Sequence, residues 1–427
     1  MNDTAKKLIE AVKNDLTPSL GVTEPGAIAY ASACAARALG GLVRSVSVYL
    51  NSGIYKNSFT CAVPGTDGMG CALAAALGAV CGRPERKLMA TEGANEADIA
   101  EAKSLVGRGL ARAELNGISP DIFIEARVET ENGSAIAVIR GRHDRLVSLT
   151  VNGKEIPVST EDDSGSGEVF RVSSVGFDEL IDCADTAEGL EFLDEAVKMN
   201  LALFEEGRRS GLIPLTSSRF AATEDDPELL TCGAIEARVR GANAPAMAIT
   251  GSGSHGILCT MPIYASSVSE WGKADPERTR RALLLSCLVT MYIKELSGLL
   301  STACGCVLAG GTGAALGLTY LYSEDCGREE LKKRLFLALN TMAASVTGMI
   351  CHGGNTGCSL KALIGVKMAL AASEMALDGL GAESVHGILG NTPEETMRNM
   401  GRIARDMLPV EKSIVEIMEE KGSGTRD

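Results

Sequence analysis

The stretch from Leu296 to Ser323 reads LSGLLSTACGCVLAGGTGAALGLTYLYS and contains no Lys, Arg, Asp or Glu. Two further stretches, 241–269 and 335–360, also lack all four charged residue types. By length each could cross a membrane, but glycine and polar residues interrupt all three, as in the GGTG of 310–313. A helix that faces lipid needs a continuous apolar surface. We therefore interpret these stretches as helices buried on all sides and joined by loops, without membrane insertion.

The overall composition is typical of a large folded protein. The chain has 427 residues and a mass of 44.5 kDa, which is enough for two or three domains of roughly 150 residues each. Hydrophobic residues make up 45% of the chain, too many for a disordered sequence. The net charge of −14 argues against nucleic acid or an anionic membrane as a partner.

The 13 cysteines are the most unusual feature of the composition. Met1–Glu10 is already polar and helix-like, so no charged-then-apolar signal peptide opens the sequence. An odd number of cysteines in a long chain of this kind excludes a secreted disulfide scaffold and indicates a reducing cytoplasm. Clustered cysteines in that compartment usually serve metal binding or catalysis.

Strong strand signals fall before about residue 172. The valine-rich segment from Val43 to Val48 predicts a strand, and Asn152-Gly153 predicts a hairpin turn. Three further segments alternate apolar and polar residues: 121–130, 134–141 and 146–152. These patterns predict a mixed α/β domain over residues 41–175.

Helical periodicity covers most of the remaining chain. Helices are predicted over 3–15, from about Gly26 to Leu39, up to about Val80, and from Asp275 to about Leu296. After Asp178 nearly everything is predicted to be helical. We therefore expect an α+β fold in which residues 1–40 with 176–427 form a large, mostly helical domain that carries the cysteine loops.

Two charge-free stretches hold the cysteines with the strongest functional signal. Cys351 and Cys358 bracket a glycine-rich loop between two predicted helices, and such a loop can bring both thiols to one centre. Cys304 and Cys306 follow another helix, and composition does not choose between them. The other nine are interpreted as small buried core residues: Cys34, Cys61, Cys71, Cys81, Cys183, Cys232, Cys259, Cys287 and Cys326.

Two kinds of metal centre are compatible with thiols at this spacing. Structural zinc usually has four closed ligands in CxxC knuckles, which are absent, and His352 could complete a set only from a position adjoining Cys351. An iron–sulfur cube held by three thiolates leaves one iron open to act on a departing oxygen or sulfur. Spacing alone leaves these two alternatives open.

A resemblance to a known family extends over essentially the whole chain. Six motifs carry it in order: LGVTEP at 20–25, NSG at 51–53 with Lys56-Asn57, PGTDGMG at 64–70, ITGSGSHGI at 249–257, LSTACG at 300–305, and GMIC at 348–351 with GCSLK at 357–361. Together they resemble the iron–sulfur serine dehydratase alpha-chain-like superfamily, and most closely its L-cysteine desulfidase branch.

The resemblance implies a cofactor and a reaction. It assigns Cys304, Cys351 and Cys358 to a [4Fe-4S] cluster with one open iron, and it leaves Cys306 in the core. It also implies α,β-elimination on a small β-substituted amino acid, in which L-cysteine gives pyruvate, ammonia and sulfide. A base removes the Cα proton while the open iron takes the leaving group. Deamination of L-serine is the alternative.

Polar residues in the other motifs are candidates for substrate binding and catalysis. The loop before the helix at His255 presents N–H groups and the hydroxyls of Ser252 and Ser254 to a carboxylate, although a plain capping turn would look the same. Glu24 is a candidate for holding the amino group. The remaining candidates are Thr23 in the same motif as Glu24, and Asn51, Ser52 and Lys56, which we expect in a loop after a strand. Lys56, His255 and Glu24 are the predicted catalytic residues.

One position departs from the desulfidase pattern. That branch has a cysteine at the position of Val22, a thiol thought to take part in the chemistry as base or sulfur acceptor, and valine can do neither. Three explanations remain open: a different leaving group or substrate, a different base such as His255 or Lys56, or an impaired chain.

Other readings of the whole protein are a zinc hydrolase or isomerase at Cys304, Cys351 and Cys358, and a non-catalytic iron–sulfur or thiol sensor. A homodimer is the default expectation for a soluble enzyme. His143 lies among charged residues, and we expect it and His386 on the surface.

Overall fold

The computed structural model describes residues 2–158, 170–219, 226–269, 274–324 and 326–424. Its helices are α1 Asp3–Asp15, α2 Thr23–Leu39, α3 Ser52–Ser58, α4 Cys71–Cys81, α5 Glu96–Gly107, α6 Phe177–Thr186, α7 Phe192–Arg209, α8 Pro214–Arg219, α9 Pro227–Val239, α10 Gly253–Val268, α11 Pro276–Ser297, α12 Thr312–Leu321, α13 Arg328–Val346, α14 Gly357–Leu377, α15 Pro393–Asp406 and α16 Leu408–Gly424. Its strands are β1 Thr17–Leu20, β2 Val43–Leu50, β3 Ala111–Leu115, β4 Phe123–Thr130, β5 Gly133–Arg140, β6 Leu146–Val151, β7 Lys154–Ile156 and β8 Pro245–Ala248. The predicted α+β class is confirmed.

The main sheet has the strand order β3-β2-β4-β5-β6-β7. β2 and β3 run parallel, and the other neighbours are antiparallel. The strands from β4 to β7 follow one another in the chain and are joined by short connections, as antiparallel neighbours can be. The predicted hairpin is confirmed, because Asn152 and Gly153 both have positive φ, 49° and 75°, as a type I′ turn requires. Alternation also predicts the buried face correctly: Ile124, Ala126 and Val128 of β4 all point into the core.

Helices α2 and α4 cover the buried face of this sheet. Residues of α2 from Ala27 to Leu39 belong to the same hydrophobic core as β2, β4 and β5. We expected residues 1–40 to lie with the helical part, whereas this helix packs with the sheet. The division into two domains stays a prediction.

The second core is helical and contains the charge-free stretches. All ten residues of α12 are buried, and α10 is buried almost throughout, so these helices have no polar face, as the sequence predicts. Within the described residues, no helix is long and apolar enough to span a membrane.

A two-stranded ribbon, β1 paired antiparallel with β8, was not predicted. Thr17 pairs with Ala248 and Leu20 with Pro245, so β8 interrupts the region after Asp178 that we expected to be helical. The ribbon brings the segment after β1, which contains Val22 and Glu24, beside the loop that precedes α10. Two of the sequence motifs therefore meet here.

The close crossing of α2 and α4 provides a test of the fold. A Cβ atom on Gly78 would overlap the backbone of Ala29, including its carbonyl oxygen. We expect Gly78→Ala to lower the free energy of unfolding by about 1–3 kcal/mol, because the two helices must move apart. Denaturant unfolding followed by circular dichroism measures this. Gly107→Ala at the end of α5, where a Cβ would meet no atom within 4 Å, is the control, and equal stability of the two variants would contradict the packing.

Candidate functional site

The two loops that hold Cys304 and Cys351 are joined by a short antiparallel bridge. The N–H of Cys304 donates to Met349 O at 2.8 Å, and the N–H of Cys351 donates to Thr302 O at 2.7 Å. Ala303 and Ile350 form the bridge pair between them. Two cysteines 47 positions apart in the sequence are thereby fixed side by side by main-chain hydrogen bonds.

Cys358 is brought to the same place by the glycine-rich loop. It lies in the first turn of α14, and its thiol donates to Gly353 O at 3.4 Å. Gly353 has a φ of 101°, which favours glycine, and a Cβ there would lie 2.6 Å from Lys56 O. The loop therefore packs tightly on α3, and Cys358 turns back toward the other two cysteines.

Charged and polar neighbours distinguish Cys304 from Cys306. The thiol of Cys306 donates to Cys304 and lowers the pKa of Cys304 to about 6, and the ammonium of Lys361 adds to this effect while burial opposes it. The same hydrogen bond raises the pKa of Cys306. Cys306 also begins a turn of π-helix, Cys306–Gly311, a rare form that is frequent at functional sites. These directions favour negative charge on Cys304 over Cys306.

Lys361 faces the whole thiol set. Its Nζ donates to Ile350 O at 3.4 Å, and its side chain is buried. Burial acts to lower its pKa, but the charges of Cys304, Cys351, Cys358 and Cys306 outweigh burial and raise it. One cation on α14 therefore stabilises negative charge on the cysteine loops.

The thiols are not arranged around one point. Within the ranges of chain that the structure describes, no group of three or more His, Cys, Asp or Glu side chains is placed to hold a single metal ion. A tetrahedral zinc site needs its ligands to converge on one atom. A cluster differs, because each thiolate binds a different iron at a separate corner.

Val22 lies against the glycine-rich loop. A Cβ on Gly354 would lie 3.1 Å from Val22 Cγ1, and Val22 packs in one small cluster with Cys61, Val239 and the partly buried Cys358. Position 22 therefore borders the cysteine site, as the motif comparison implies. Cys61 is fully buried, as predicted for a core cysteine, but it also lies beside Cys358.

The other cysteines predicted as core residues are not in the site. Most are buried: Cys34, Cys71, Cys183, Cys232, Cys259 and Cys287. Cys81 and Cys326 are half-buried. The thiols with a functional arrangement are thus those of the two glycine-bracketed loops.

Lys56 lies in a helix, not in the loop that we predicted. It is 1% exposed in α3, and its Nζ donates to Glu411 Oε2 at 2.8 Å. The same carboxylate oxygen accepts from Thr302 Oγ1 at 3.0 Å, beside the bridge between the cysteine loops. Burial acts to lower the pKa of Lys56, but the negative charges of Cys351 and Glu411 outweigh it and raise the pKa. Lys56 is therefore an ammonium ion, which has no lone pair to accept a proton.

Glu24 is connected to the cysteine loops through Asn57. Asn57 Nδ2 donates to Glu24 Oε1 at 2.8 Å, and the thiol of Cys351 donates to Asn57 Oδ1 at 3.6 Å. Glu24 lies in the first turn of α2 and is 7% exposed. The sequence singled out Glu24, but Asn57 was noted only as part of a motif.

His143 is buried, so its predicted surface position is wrong; His386 is exposed, as predicted. His143 Nε2 lies 3.9 Å from Glu24 Oε1 and has no hydrogen-bond partner, and burial lowers the pKa of His143. Its ring also lines a cavity of about 210 Å³ with Asp15 and Gly251. The turn between β5 and β6 holds this histidine inward, although charged residues flank it in the sequence.

His255 is held by an unusual backbone geometry. Its Nδ1 is 2.7 Å from Thr250 Oγ1, and Thr250 has a φ of 51°, which is rare for a β-branched residue. The carboxylate of Asp15 accepts a hydrogen bond from the N–H of Thr250 and so holds this conformation. Burial lowers the pKa of His255 well below its usual value, so the imidazole is neutral.

His255 and Lys294 converge on the residue after Cys304. A Cβ on Gly305 would lie 2.7 Å from His255 Nε2 and 3.0 Å from Lys294 Nζ. Lys294, in α11, is 2% exposed, and burial lowers its pKa to about 8. Among the described residues no side chain or carbonyl accepts a hydrogen bond from its Nζ. The sequence did not point to Lys294, because it is one lysine on a long helix without a motif.

The predicted substrate-binding residues divide into two groups. Thr23 and Ser254 both accept hydrogen bonds from the guanidinium of Arg238, and Ser252 begins α10 without a side-chain capping bond. Asn51 and Ser52 instead donate to Ser119 O, at 3.0 and 3.3 Å, and hold the loop before β4. Their polar atoms are thus engaged within the fold.

These features define a class of protein: an α+β chain whose buried interior joins cysteine loops to unpaired basic groups and a carboxylate. The serine dehydratase alpha chain family matches residues 121–414, and the chain belongs to this family. The family resemblance seen in the sequence motifs is therefore confirmed.

Full-length relatives support the same assignment. A UPF0597 protein of Clostridium botulinum (strain Langeland / NCTC 10281 / Type F) is 37% identical, over 97% of this chain and 98% of the relative. UPF0597 proteins of Geobacter sulfurreducens and Caldanaerobacter subterraneus subsp. tengcongensis are 35% and 34% identical, with the same coverage of both chains.

The buried pair of Lys56 and Glu411 gives a test of the site's framework. We expect Glu411→Gln to lower the free energy of unfolding by about 3–5 kcal/mol, because it leaves the Lys56 ammonium buried without a counter-charge. The double variant Lys56→Met with Glu411→Leu should recover most of this loss, since neither charge remains. Asp3→Asn, at an exposed pair with Lys7, is the control and should change nothing measurable. If Glu411→Gln is as stable as the parent in urea unfolding, the pair does not hold α16 in place.

Proposed function

We propose that this protein is an iron–sulfur-dependent lyase that removes the β-substituent of a small L-amino acid, with L-cysteine as substrate. Membership of the serine dehydratase alpha chain family supports the lyase class. One observation carries the proposal furthest: the bridge that sets Cys304 beside Cys351, with Cys358 returning to them and Lys361 facing all three.

The donor set has the chemistry that a [4Fe-4S] cluster requires. Cys304, Cys351 and Cys358 supply three sulfur ligands, and Lys361 offsets their negative charge. The described residues offer no set of ligands that converges on one zinc ion. A cluster does not need such a set, because each thiolate binds a separate iron. When bound, a cluster with an open iron supplies a Lewis acid for the departing sulfur or oxygen.

On this proposal the charged residues bind and orient the substrate. The carboxylate of Glu24, fixed by Asn57, accepts hydrogen bonds from the substrate ammonium. Asn57 also contacts Cys351, so the amino group is positioned relative to the cysteine loops. The buried surroundings exclude water, which strengthens these contacts.

Lys294 fits the role of base better than Lys56. Lys56 is tied to Glu411, whereas no described residue accepts a hydrogen bond from Lys294 Nζ. Lys294 also lies against Gly305, next to Cys304, and is therefore placed to take the Cα proton beside the cysteine loops. His255 Nε2 converges on the same glycine and can relay a proton through Thr250.

The nature of the leaving group depends on Val22. Its apolar side chain packs toward Cys358, where a thiol would otherwise border the site. Without that thiol another group must take the proton, and we assign this role to Lys294. Removal of hydroxide from L-serine uses the same residues and is the second candidate reaction, favoured by this valine.

The cluster assignment predicts iron content. Protein purified and reconstituted without oxygen should contain about four irons and four sulfides per chain. Cys351→Ser and Cys358→Ser should each lose most of this iron, measured by absorbance and metal analysis, because a cube with two thiolates is released. Cys81→Ser, in a half-buried thiol of α4, should keep it. Colourless protein with stoichiometric zinc would contradict the assignment.

The same preparations test the reaction. Pyruvate release from L-cysteine with sulfide identifies a desulfidase, and release from L-serine alone identifies a dehydratase. The contradicting result is a brown protein that releases no pyruvate from L-cysteine or L-serine and no keto acid from L-threonine. That result would refute the lyase proposal and favour a sensor.

The assignment of Lys294 as the base predicts which variants lose turnover. We expect Lys294→Met to lower kcat by at least about 100-fold, the usual minimum for a general base, with iron content unchanged. Lys294→Arg should be equally inactive, because a guanidinium does not give up its proton. The comparison is with His255→Gln, which should retain more activity. Turnover by Lys294→Met at the parent rate would exclude this lysine as the base.

A further inference from the structure

Arg238 is a buried cation without an anion. It lies near the end of α9 and is 3% exposed. Its Nη1 donates to Ser254 Oγ at 2.7 Å, and its Nη2 donates to Thr23 Oγ1 at 3.1 Å. Both partners are neutral hydroxyls, and within the described part of the chain no carboxylate lies within ion-pair distance of the guanidinium.

The remaining donors of Arg238 are also unused. A guanidinium has five N–H groups, and two of these are used by the hydroxyls. The Nε atom is buried and has no hydrogen-bond partner in the structure. The burial of an unpaired charge costs several kcal/mol per ion. The two hydroxyls offset part of that cost, but no carboxylate of the described residues pairs with the charge.

The surroundings of Arg238 are arranged for a negative group. α10 begins at Gly253 against the guanidinium, and a Cβ there would lie 2.6 Å from Nε, so glycine gives the cation access to the helix start. Ser252 makes no side-chain capping bond, and no described group accepts from the N–H groups of 253–255. The first turn of a 16-residue helix and a guanidinium thus share one small region.

The groups close to Arg238 extend this region into the cysteine site. Its charge acts on His143 and His255, and also on Cys61, which packs beside Cys358. Thr23, which binds Arg238, directly precedes Glu24, which is fixed by Asn57. Arg238 is therefore hydrogen-bonded to the residue next to a buried carboxylate.

We propose that Arg238 binds the α-carboxylate of the substrate, with Thr23 and Ser254 orienting the guanidinium and the start of α10 adding N–H donors. Together with Glu24, it forms a receptor for a zwitterionic α-amino acid, which excludes amines and simple thiols. This inference rests on the proposed function only for the question of which amino acid is bound. The carboxylate class follows from the unpaired guanidinium itself.

The first test measures binding without turnover. L-alanine has no leaving group, so its binding to the reduced full chain can be followed by isothermal titration calorimetry, with L-alaninamide as the probe that lacks the carboxylate. We expect wild type to bind L-alanine at least about 10-fold more tightly than L-alaninamide. Arg238→Met should lose about 100-fold in affinity for L-alanine and lose the discrimination, and Arg238→Lys should lose less than Arg238→Met. Arg209→Met, at an exposed pair with Glu206, is the control and should bind as wild type.

The second test separates a binding role from a structural one. Because Arg238 is an unpaired cation in the ligand-free chain, Arg238→Met should raise Tm, whereas an arginine needed for folding would lower it. L-alanine should raise Tm of wild type and leave that of Arg238→Met unchanged. Failure of wild type to bind L-alanine, equal affinity of wild type and Arg238→Met, or a lower Tm for this variant would overturn the inference.

The two proposals fail in different ways. If no preparation releases pyruvate but Arg238→Met still abolishes L-alanine binding, the lyase proposal fails and the carboxylate receptor stands. If pyruvate is released and Arg238→Met keeps wild-type affinity for L-alanine and wild-type KM, the lyase stands and the receptor lies elsewhere.

Discussion

The bridge between the loops of Cys304 and Cys351 is the constraint on which the site depends. Its two main-chain hydrogen bonds, from the N–H groups of Cys304 and Cys351, fix thiols from two distant charge-free stretches. The carboxylate of Glu411 binds Thr302 at this bridge and also Lys56, so α3 and α16 are tied to the same point. The carbonyl of Lys56 packs closely on Gly353, and the N–H of the next residue, Gly354, donates to Asn57 O at 3.1 Å, so α3 also holds the loop before Cys358. Thus a few polar contacts in an apolar core set the position of every candidate ligand.

The charge balance around this bridge is the reverse of that of the whole chain. The chain has a net charge of −14, yet four buried cations surround the site with two buried carboxylates. The cations are Lys56, Arg238, Lys294 and Lys361, and the carboxylates are Glu24 and Glu411. A third buried carboxylate of the described residues, Glu236, is paired with Arg240. Because buried charges are normally paired, this excess requires further anions. Thiolates of the cysteine loops satisfy part of it, and on our proposal the carboxylate of an amino acid pairs with Arg238.

The sequence predicts those parts of the structure that depend on local pattern. Alternation predicted β4, β5 and β6, and the glycine-bracketed cysteines predicted the loops that meet. Arg238 and Lys294 were missed because each is one charged residue on an ordinary helix, and only tertiary packing makes them buried and unpaired. The strand β8 was missed because four residues in an apolar stretch carry no clear period. Lys56 was predicted to be a loop lysine, but it is a buried partner of Glu411. The sequence could not show this, because Glu411 is at the far end of the chain and only tertiary packing brings the two together.

Val22 links the architecture to the choice of chemistry. Together with Val239 it forms an apolar wall beside Cys358 and Cys61, so this side of the site offers packing surface and no acid or base. Cys61 does not replace a thiol at position 22, because burial raises its pKa and keeps it protonated. On the proposed function, the proton is therefore taken by Lys294, which converges with His255 on Gly305.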